Sequence, residues 1–263
     1  MMNDRCFRVG AEGRDILNET SSRHGRQAAL GSRCTLLRPG VVEYQDAWRL
    51  QQCIAERVRE GADPALILLQ HPATYTLGAR GKTASLLLSP DAYTARGASV
   101  HQSDRGGDVT FHGPGQVVGY PVINIRARGN GAVSYVRSLE AMLIDVLSRF
   151  GISAGRSERN AGVWVDRAKI AAIGVRVSRG VTTHGFALNV NTDLSYFDDI
   201  IPCGLADATV TSVQKVTGEV FDIVDVEAEI AGAFARAFGF EFVEADVADW
   251  DVAPKLTEVG VGH

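Results

Sequence analysis

Between residues 105 and 116 the chain reads Arg-Gly-Gly-Asp-Val-Thr-Phe-His-Gly-Pro-Gly-Gln, with four glycines and a proline in twelve positions. Val109 and Phe111 precede the Gly-Pro-Gly segment, and Val117 and Val118 follow it. Those residue types suit strands, so the segment is expected to be a turn between two strands. Glycine lets a backbone come close to a neighbour or a ligand, and such a turn can present N–H groups, Arg105 and His112 to a bound molecule. An ordinary hairpin is the plain reading of the same glycines. Gly113, Gly115 and Gly119 do not make a dinucleotide fingerprint, because the apolar run Val117 to Ile125 follows where that motif opens a helix. A P-loop fails as well, since no Lys-Ser/Thr pair follows the glycines.

Around this stretch the periodicities predict a mixture of elements. Strands are expected at 35–37, 65–69, 100–102, 117–125, 163–165, 169–177 and 182–190. Amphipathic helices are expected at 42–59, 132–150 and 224–238, where apolar residues recur at helical spacing. Strands and helices do not alternate regularly, which favours an α+β fold with antiparallel sheet over a doubly wound one. Residues 1–30 are polar, rich in Gly, Ser and Arg, and read as a flexible extension. The catalytic domain is expected over 31–240, with 241–263 as a C-terminal tail.

Composition narrows the function classes. The 263 residues are 45% hydrophobic and 22% charged, which is ordinary for a globular protein with a sizeable core. A net charge of −4 does not point to nucleic acid. No apolar run approaches the roughly 18 residues that span a bilayer, and the N-terminus lacks the apolar core of a signal peptide. A cytoplasmic setting, no membrane and no nucleic acid are the expectations. Cys6, Cys34, Cys53 and Cys203 are scattered and form no C-x-x-C pair, so neither a disulfide framework nor a metal site is expected.

Two residues stand out as chemistry-bearing. Cys203 sits between Pro202 and Gly204 in an irregular stretch, not inside a periodic element. A thiol needs a base or a nearby cation to react near neutral pH. His112 and His184 offer a Cys–His pair, and Lys169 offers a Cys–Lys pair. The chain has only four lysines among its 27 basic residues, so a lysine in an apolar setting is informative. Lys169 lies among Ala168, Ile170, Ala171 and Ala172, a setting that can turn an ammonium into a base. The plain alternatives are a strand-edge charge reaching for water at Lys169 and a hydrogen-bonded turn residue at His184. Spacing does not choose among these. His71, before Pro72, reads as structural, and His101 as a surface residue.

The stretch Arg105 to Tyr120 resembles the signature of the lipoyl(octanoyl) transferases. So, in order, do His71 to Gly78, Gly162 to Val165, Lys169 to Gly174, His184 to Val190 and Ile201 to Gly204. The resemblance covers roughly residues 33–240 and implies a biotin/lipoate ligase-like α+β domain, its mixed, largely antiparallel sheet flanked by helices. It implies transfer of an octanoyl group from octanoyl-acyl carrier protein to a lysine of lipoyl domains, without a cofactor. Those acceptors belong to 2-oxo acid dehydrogenases and to the glycine cleavage H protein. The resemblance makes Cys203 the nucleophile and Lys169 its partner. Its acyl-binding segments fall on Arg105, Gly106, Gly107, Asp108, Val109, Thr110, Phe111 and His112, on Ala172, Ile173 and Gly174, and on Gly185, Phe186 and Ala187. Tyr75 and Leu77 are further expected to join Phe186 and Ala187 in an acyl tunnel. A basic patch of Arg105, Arg126, Arg128, Arg176 and Arg179 is expected to meet an acidic carrier protein. An ATP-dependent lipoate or biotin ligase, a cysteine hydrolase and a non-catalytic acyl-binding protein are the competing readings.

Overall fold

The computed structural model describes residues 32–158, 160–201 and 209–250. Cys203 with its neighbours Pro202 and Gly204, the expected extension at 1–30, and residues 251–263 lie outside the described residues. The first half runs β1 (Ser32–Val41), α1 (Tyr44–Arg59), β2 (Ala65–Gln70), β3 (Thr74–Leu77), α2 (Pro90–Ala95), β4 (Ser99–Gln102), β5 (Val109–His112) and β6 (Gln116–Val122). The second runs α3 (Ala132–Arg149), β7 (Gly162–Val165), β8 (Ala168–Ser178), β9 (Val181–Asn189), β10 (Thr209–Val210), α4 (Val213–Thr217), α5 (Ile223–Phe238) and β11 (Phe240–Glu244).

Two sheets result. The larger has the order β10-β8-β9-β6-β2-β1-β11, with β7 also paired to β8. Its centre is antiparallel, from β2 through β6 and β9 to β8. Its ends are parallel, where β1 pairs β2 and β11 and where β10 pairs β8. Strand alternation sorts the side chains of β2 and β6 to two faces. Ala65, Ile67, Leu69, Val118, Tyr120 and Val122 pack with Leu50, Ile54 and Val58 of α1. Leu66, Leu68 and Val117 pack with Leu139, Leu143 and Val146 of α3 and with Ile230 and Phe234 of α5. The sheet is thus buried between helices on both faces, which is why β2 reads as a continuous apolar run.

The second sheet has the order β4-β3-β5. Tyr75 and Phe111 lie opposite each other in it and build a small aromatic core with Tyr93, Phe197 and Ile200. Thr74 and His112, one step along each strand, project to the other face. The turn between β5 and β6 carries the chain from the small sheet into the large one, and the candidate site lies at this junction.

The ordered fold continues past residue 240, the expected end of the domain. Strand β11 pairs residue by residue with β1, from Ser32↔Phe240 to Leu36↔Glu244, and Val247 is buried against the α1 side. The Phe240, Phe242 alternation in this strand is short, and its partner is two hundred residues away, so local pattern gave no sign of the pairing.

Candidate active site

Three backbone segments meet at the glycines. The Gly106 N–H donates to the Val175 carbonyl, 3.1 Å away, so the loop runs along the edge of β8. A Cβ at Gly106 would lie 2.9 Å from Val175 O, and one at Gly174 would lie 2.6 Å from Gly106 O. Both positions therefore need glycine for backbone to pack on backbone. The loop is held from inside by Arg105, which is 7% exposed. Its guanidinium donates to Thr76 O at 2.6 Å, Asp108 O at 2.7 Å, Gly106 O at 3.1 Å and Thr76 Oγ1 at 3.0 Å. Arg105 is a brace for the loop, and its charge acts on whatever lies nearby.

Three imidazoles lie nearby, all buried. His71 donates from Nδ1 to Val42 O at 2.6 Å and accepts at Nε2 from Tyr120 OH at 2.7 Å. Burial pushes it down to about 4. His112 is held well below its ordinary value, first by burial and then by His71 and Arg105. His184 is pushed down to about 3, by burial and then by Arg105 and Arg176. Its Nε2 donates to Asp104 Oδ1 at 2.7 Å, and Asp104 also pairs with Arg176. His184 has φ +56°, a left-handed conformation that interrupts the alternation of β9 and turns its ring toward Trp48 and Tyr120. All three rings are neutral at neutral pH.

A cleft of about 560 Å³ opens beside these groups. That volume lies within the range of small-molecule sites. The segment 105–110 and His112 line it, as do Ala172, Ile173, Gly174, Gly185, Phe186 and Ala187. Phe111 does not, because alternation in β5 sends its ring into the small-sheet core, stacked 4.5 Å from Tyr196. Tyr75 and Leu77 do not line it either. Tyr75 points into the same aromatic core and donates to Asp199 Oδ2 at 2.7 Å. Phe186 and Ala187 are the members of the expected acyl tunnel that face the space. The Phe186 ring lies across Gly119, where a Cβ would come within 2.1 Å of it.

Lys169 lines the same cleft. It is the second residue of β8, flanked by Trp164 of β7 on one side and Val210 of β10 on the other. Its Nζ lies 3.4 Å from Ala161 O and 4.9 Å from the centre of the Trp164 ring. Gly162 leaves room for the side chain, with Lys169 Cε only 3.3 Å from where its Cβ would be. Glu140 of α3, 1% exposed, secures this corner by taking Arg137, Arg156 and the Gly162 N–H. Helix α3 also supplies Val136 to the lining.

Cys203 falls outside the described residues, but both flanks are placed. Upstream, the Asp199 carboxylate takes Tyr75 and Arg96, and Ile201 N donates to Ser85 O at 2.9 Å. Downstream, Val210 lines the cleft and pairs with Lys169. Of the five arginines of the expected basic patch, Arg126 is exposed and the other four have partners. Arg105 is turned inward, Arg128 stacks on Phe240, Arg176 pairs with Asp104, and Arg179 pairs with Glu56. Sequence reasoning missed Gln116 and Asn189, both buried in the lining. A Gln beside a Gly-Pro-Gly turn and an Asn ending a buried strand were the available signals.

Residues 43–235 match the lipoyl protein ligase A/B catalytic domain. The chain is 45% identical over 217 residues to an octanoyltransferase of Rubrobacter xylanophilus, covering 81% of this chain and 96% of that one. It is 45% identical over 211 residues to an octanoyltransferase of Solibacter usitatus, covering 80% and 95%. Its identity to the mitochondrial octanoyltransferase LIP2 of Arabidopsis thaliana is 42% over 207 residues, covering 78% and 88%. Among solved structures, lipoate-protein ligase A bound with ATP superposes with a TM-score of 0.67 at 16% identity, covering 82% of this chain and 89% of that one. The putative lipoate protein ligase Ta0514 of T. acidophilum, with bound lipoic acid, superposes with 0.65 at 17% identity and the same coverage. These two likenesses establish the fold. With its α+β architecture, its glycine-lined cleft and these relatives, the chain is an acyltransferase that belongs to the octanoyltransferase family.

Proposed function

We propose that this protein moves an octanoyl group from octanoyl-acyl carrier protein to a lysine of lipoyl domains, through a thioester on Cys203. The observation that carries the reading is Lys169 facing the cleft beside Val210, at the return of the chain segment that contains Cys203. Five residues separate Cys203 from Thr209, and one separates it from the anchored Ile201. At a reach of about 3.5 Å per residue, so short a connection limits how far the thiol can lie from either flank.

In the first half-reaction Lys169 Nζ accepts the Cys203 proton. The thiolate attacks the carrier thioester, a sulfur–carbon bond forms, and the carrier thiol leaves with the proton. One thioester replaces another, so the step needs no ATP. In the second, the acceptor amine attacks, a carbon–nitrogen bond forms, and Cys203 leaves and regains a proton. Phe186, Ile173 and Val136 supply apolar surface for the chain, at about 0.8 kcal/mol per buried methylene. The 2-oxo acid dehydrogenases and the glycine cleavage H protein carry suitable acceptors. Arg105 fixes the loop, and the Gly106 N–H is committed to Val175 and does not serve an oxyanion.

Intact mass after mixing with octanoyl-acyl carrier protein tests this reading. The wild type is expected to gain one octanoyl group, Cys203→Ser none, and Lys169→Ala the same group about a hundredfold more slowly. Adding a lipoyl domain is expected to discharge the adduct onto that domain. Modification of the lipoyl domain by free octanoate only when ATP is present, with no adduct on wild type, would overturn the reading in favour of a ligase. Release of free octanoate in place of octanoyl-domain would make the protein a hydrolase.

A further inference from the structure

A chain of buried hydrogen bonds crosses the floor of the cleft and ends on the strand that carries Lys169. His112 Nδ1 lies 2.9 Å from Gln116 Oε1. Gln116 Nε2 donates to Phe111 O at 3.1 Å and to Asn189 Oδ1 at 2.9 Å. Asn189 Nδ2 donates to Thr211 O at 2.9 Å. The Thr211 N–H in turn donates to Lys169 O at 3.0 Å. His112, Gln116, Asn189 and Thr211 are each between 1% and 6% exposed.

The arrangement has one self-consistent orientation. An amide nitrogen has two N–H donors, and those of Gln116 face two oxygens that only accept. Turning the Gln116 amide over would set its oxygen against the Phe111 carbonyl and Asn189 Oδ1. Its oxygen therefore faces His112, and His112 must carry its proton on Nδ1. The Nε2 lone pair then faces Thr76 Oγ1 at 3.4 Å, and that hydroxyl accepts from Arg105 Nε. A sequence of polar groups this dry has to be completely paired, because each unpaired member costs on the order of 1–3 kcal/mol.

We infer that Gln116 and Asn189 are positioning residues for the acyl-transfer reaction: they lock His112 in the Nδ1–H tautomer and fix it relative to the Lys169 end of β8. Gln116 acts through His112, and Asn189 acts through Thr211. The inference rests on the proposed role of Lys169 and gives the two amides a part that apolar residues of the same size would not fill. What the amides add is a directional link between the His112 ring and the backbone of Lys169, which stand on different sheets.

Two measurements test this. In wild-type protein a long-range proton–nitrogen spectrum is expected to show His112 protonated on Nδ1 and bare on Nε2, and the opposite tautomer would overturn the inference. Steady-state kinetics with octanoyl-acyl carrier protein and a lipoyl domain then compare wild type with Gln116→Met and Asn189→Leu. Both variants are expected to lose about 10–100-fold in kcat with the donor KM within about threefold, since a small misplacement of reacting groups costs that much. An unchanged kcat, or a loss that appears only as raised KM and lowered Tm, would overturn it. The tautomer measurement stands even if a variant does not fold. A wild type that forms no octanoyl adduct would defeat the functional reading and not the tautomer.

Discussion

Two regions of the cleft lining are built on opposite principles. Around His71, Arg105, His112, Gln116 and His184 the lining is polar, dry and almost completely paired. Around Val136, Ile173 and Phe186 it is apolar and held by shape alone. The polar region derives its geometry from directional bonds, so it places atoms accurately and fails abruptly. The apolar region follows close packing, so it excludes water and fails by degrees. The difference predicts which disturbances each region feels.

Acid should break the polar region first and most. A histidine whose folded pKa lies below its unfolded value of about 6.5 binds its proton more readily in the unfolded chain. Stability from such a group is complete above that value and falls as pH drops toward the folded one. With His71 at about 4 and His184 at about 3, each is expected to cost about 2 kcal/mol by pH 5, with His112 acting in the same direction. Glu227, raised to about 6 by burial, opposes this by about 1 kcal/mol. Urea unfolding at pH 7.5 and pH 5 reads the net loss, and His71→Asn should remove about 2 kcal/mol of the pH dependence. An equal free energy at both pH values would mean that these rings reach water.

Removing the central brace comes next. Arg105→Ala strands the Thr76 and Asp108 carbonyls and should cost about 3 kcal/mol in urea unfolding near pH 7.5. Arg105→Lys should recover part of it, because one ammonium does not reproduce the planar fork. If alanine proved harmless, the loop would be held by its glycine contacts alone.

The smallest effect belongs to the apolar region. Gly119→Ala puts a methyl group into the Phe186 ring and should cost about 2 kcal/mol, equally at pH 7.5 and pH 5. The pair Gly119→Ala with Phe186→Leu should recover about half, which a double-mutant cycle in urea measures. A pH-dependent cost would show that this region is coupled to the histidines and that the division is false.

The same contrast governs what was legible in the sequence. Helix α1 runs Tyr44–Arg59 against an expected 42–59, and α5 runs Ile223–Phe238 against 224–238, because an amphipathic period is a local property. Strand β2 was visible as a continuous apolar run, which is equally local. Residues 105–110 and His112 face the cleft, yet Arg105 was read as facing outward and Phe111 as facing in. Which side of a short strand faces a site depends on partners such as Tyr75 and Tyr196, which are not local. Gln116 and Asn189 are 73 positions apart, and nothing in either residue's surroundings announces the bond between them. The parallel β3–β4 pairing and the β1–β11 closure were hidden likewise. Arginine counts likewise did not reveal that Asp104 and Glu56 stand beside Arg176 and Arg179.

The β1–β11 pairing has a consequence for how the protein is made. Ser32 lies opposite Phe240 and Leu36 opposite Glu244, so an edge begun by the first strand of the described residues is finished by the last of them. At about 5–20 residues per second, roughly 10–40 s of translation pass with that edge of β1 unpaired. During that interval a nascent chain exposes a strand edge on which another copy can add, and a chaperone that covers extended apolar segments has a natural target there.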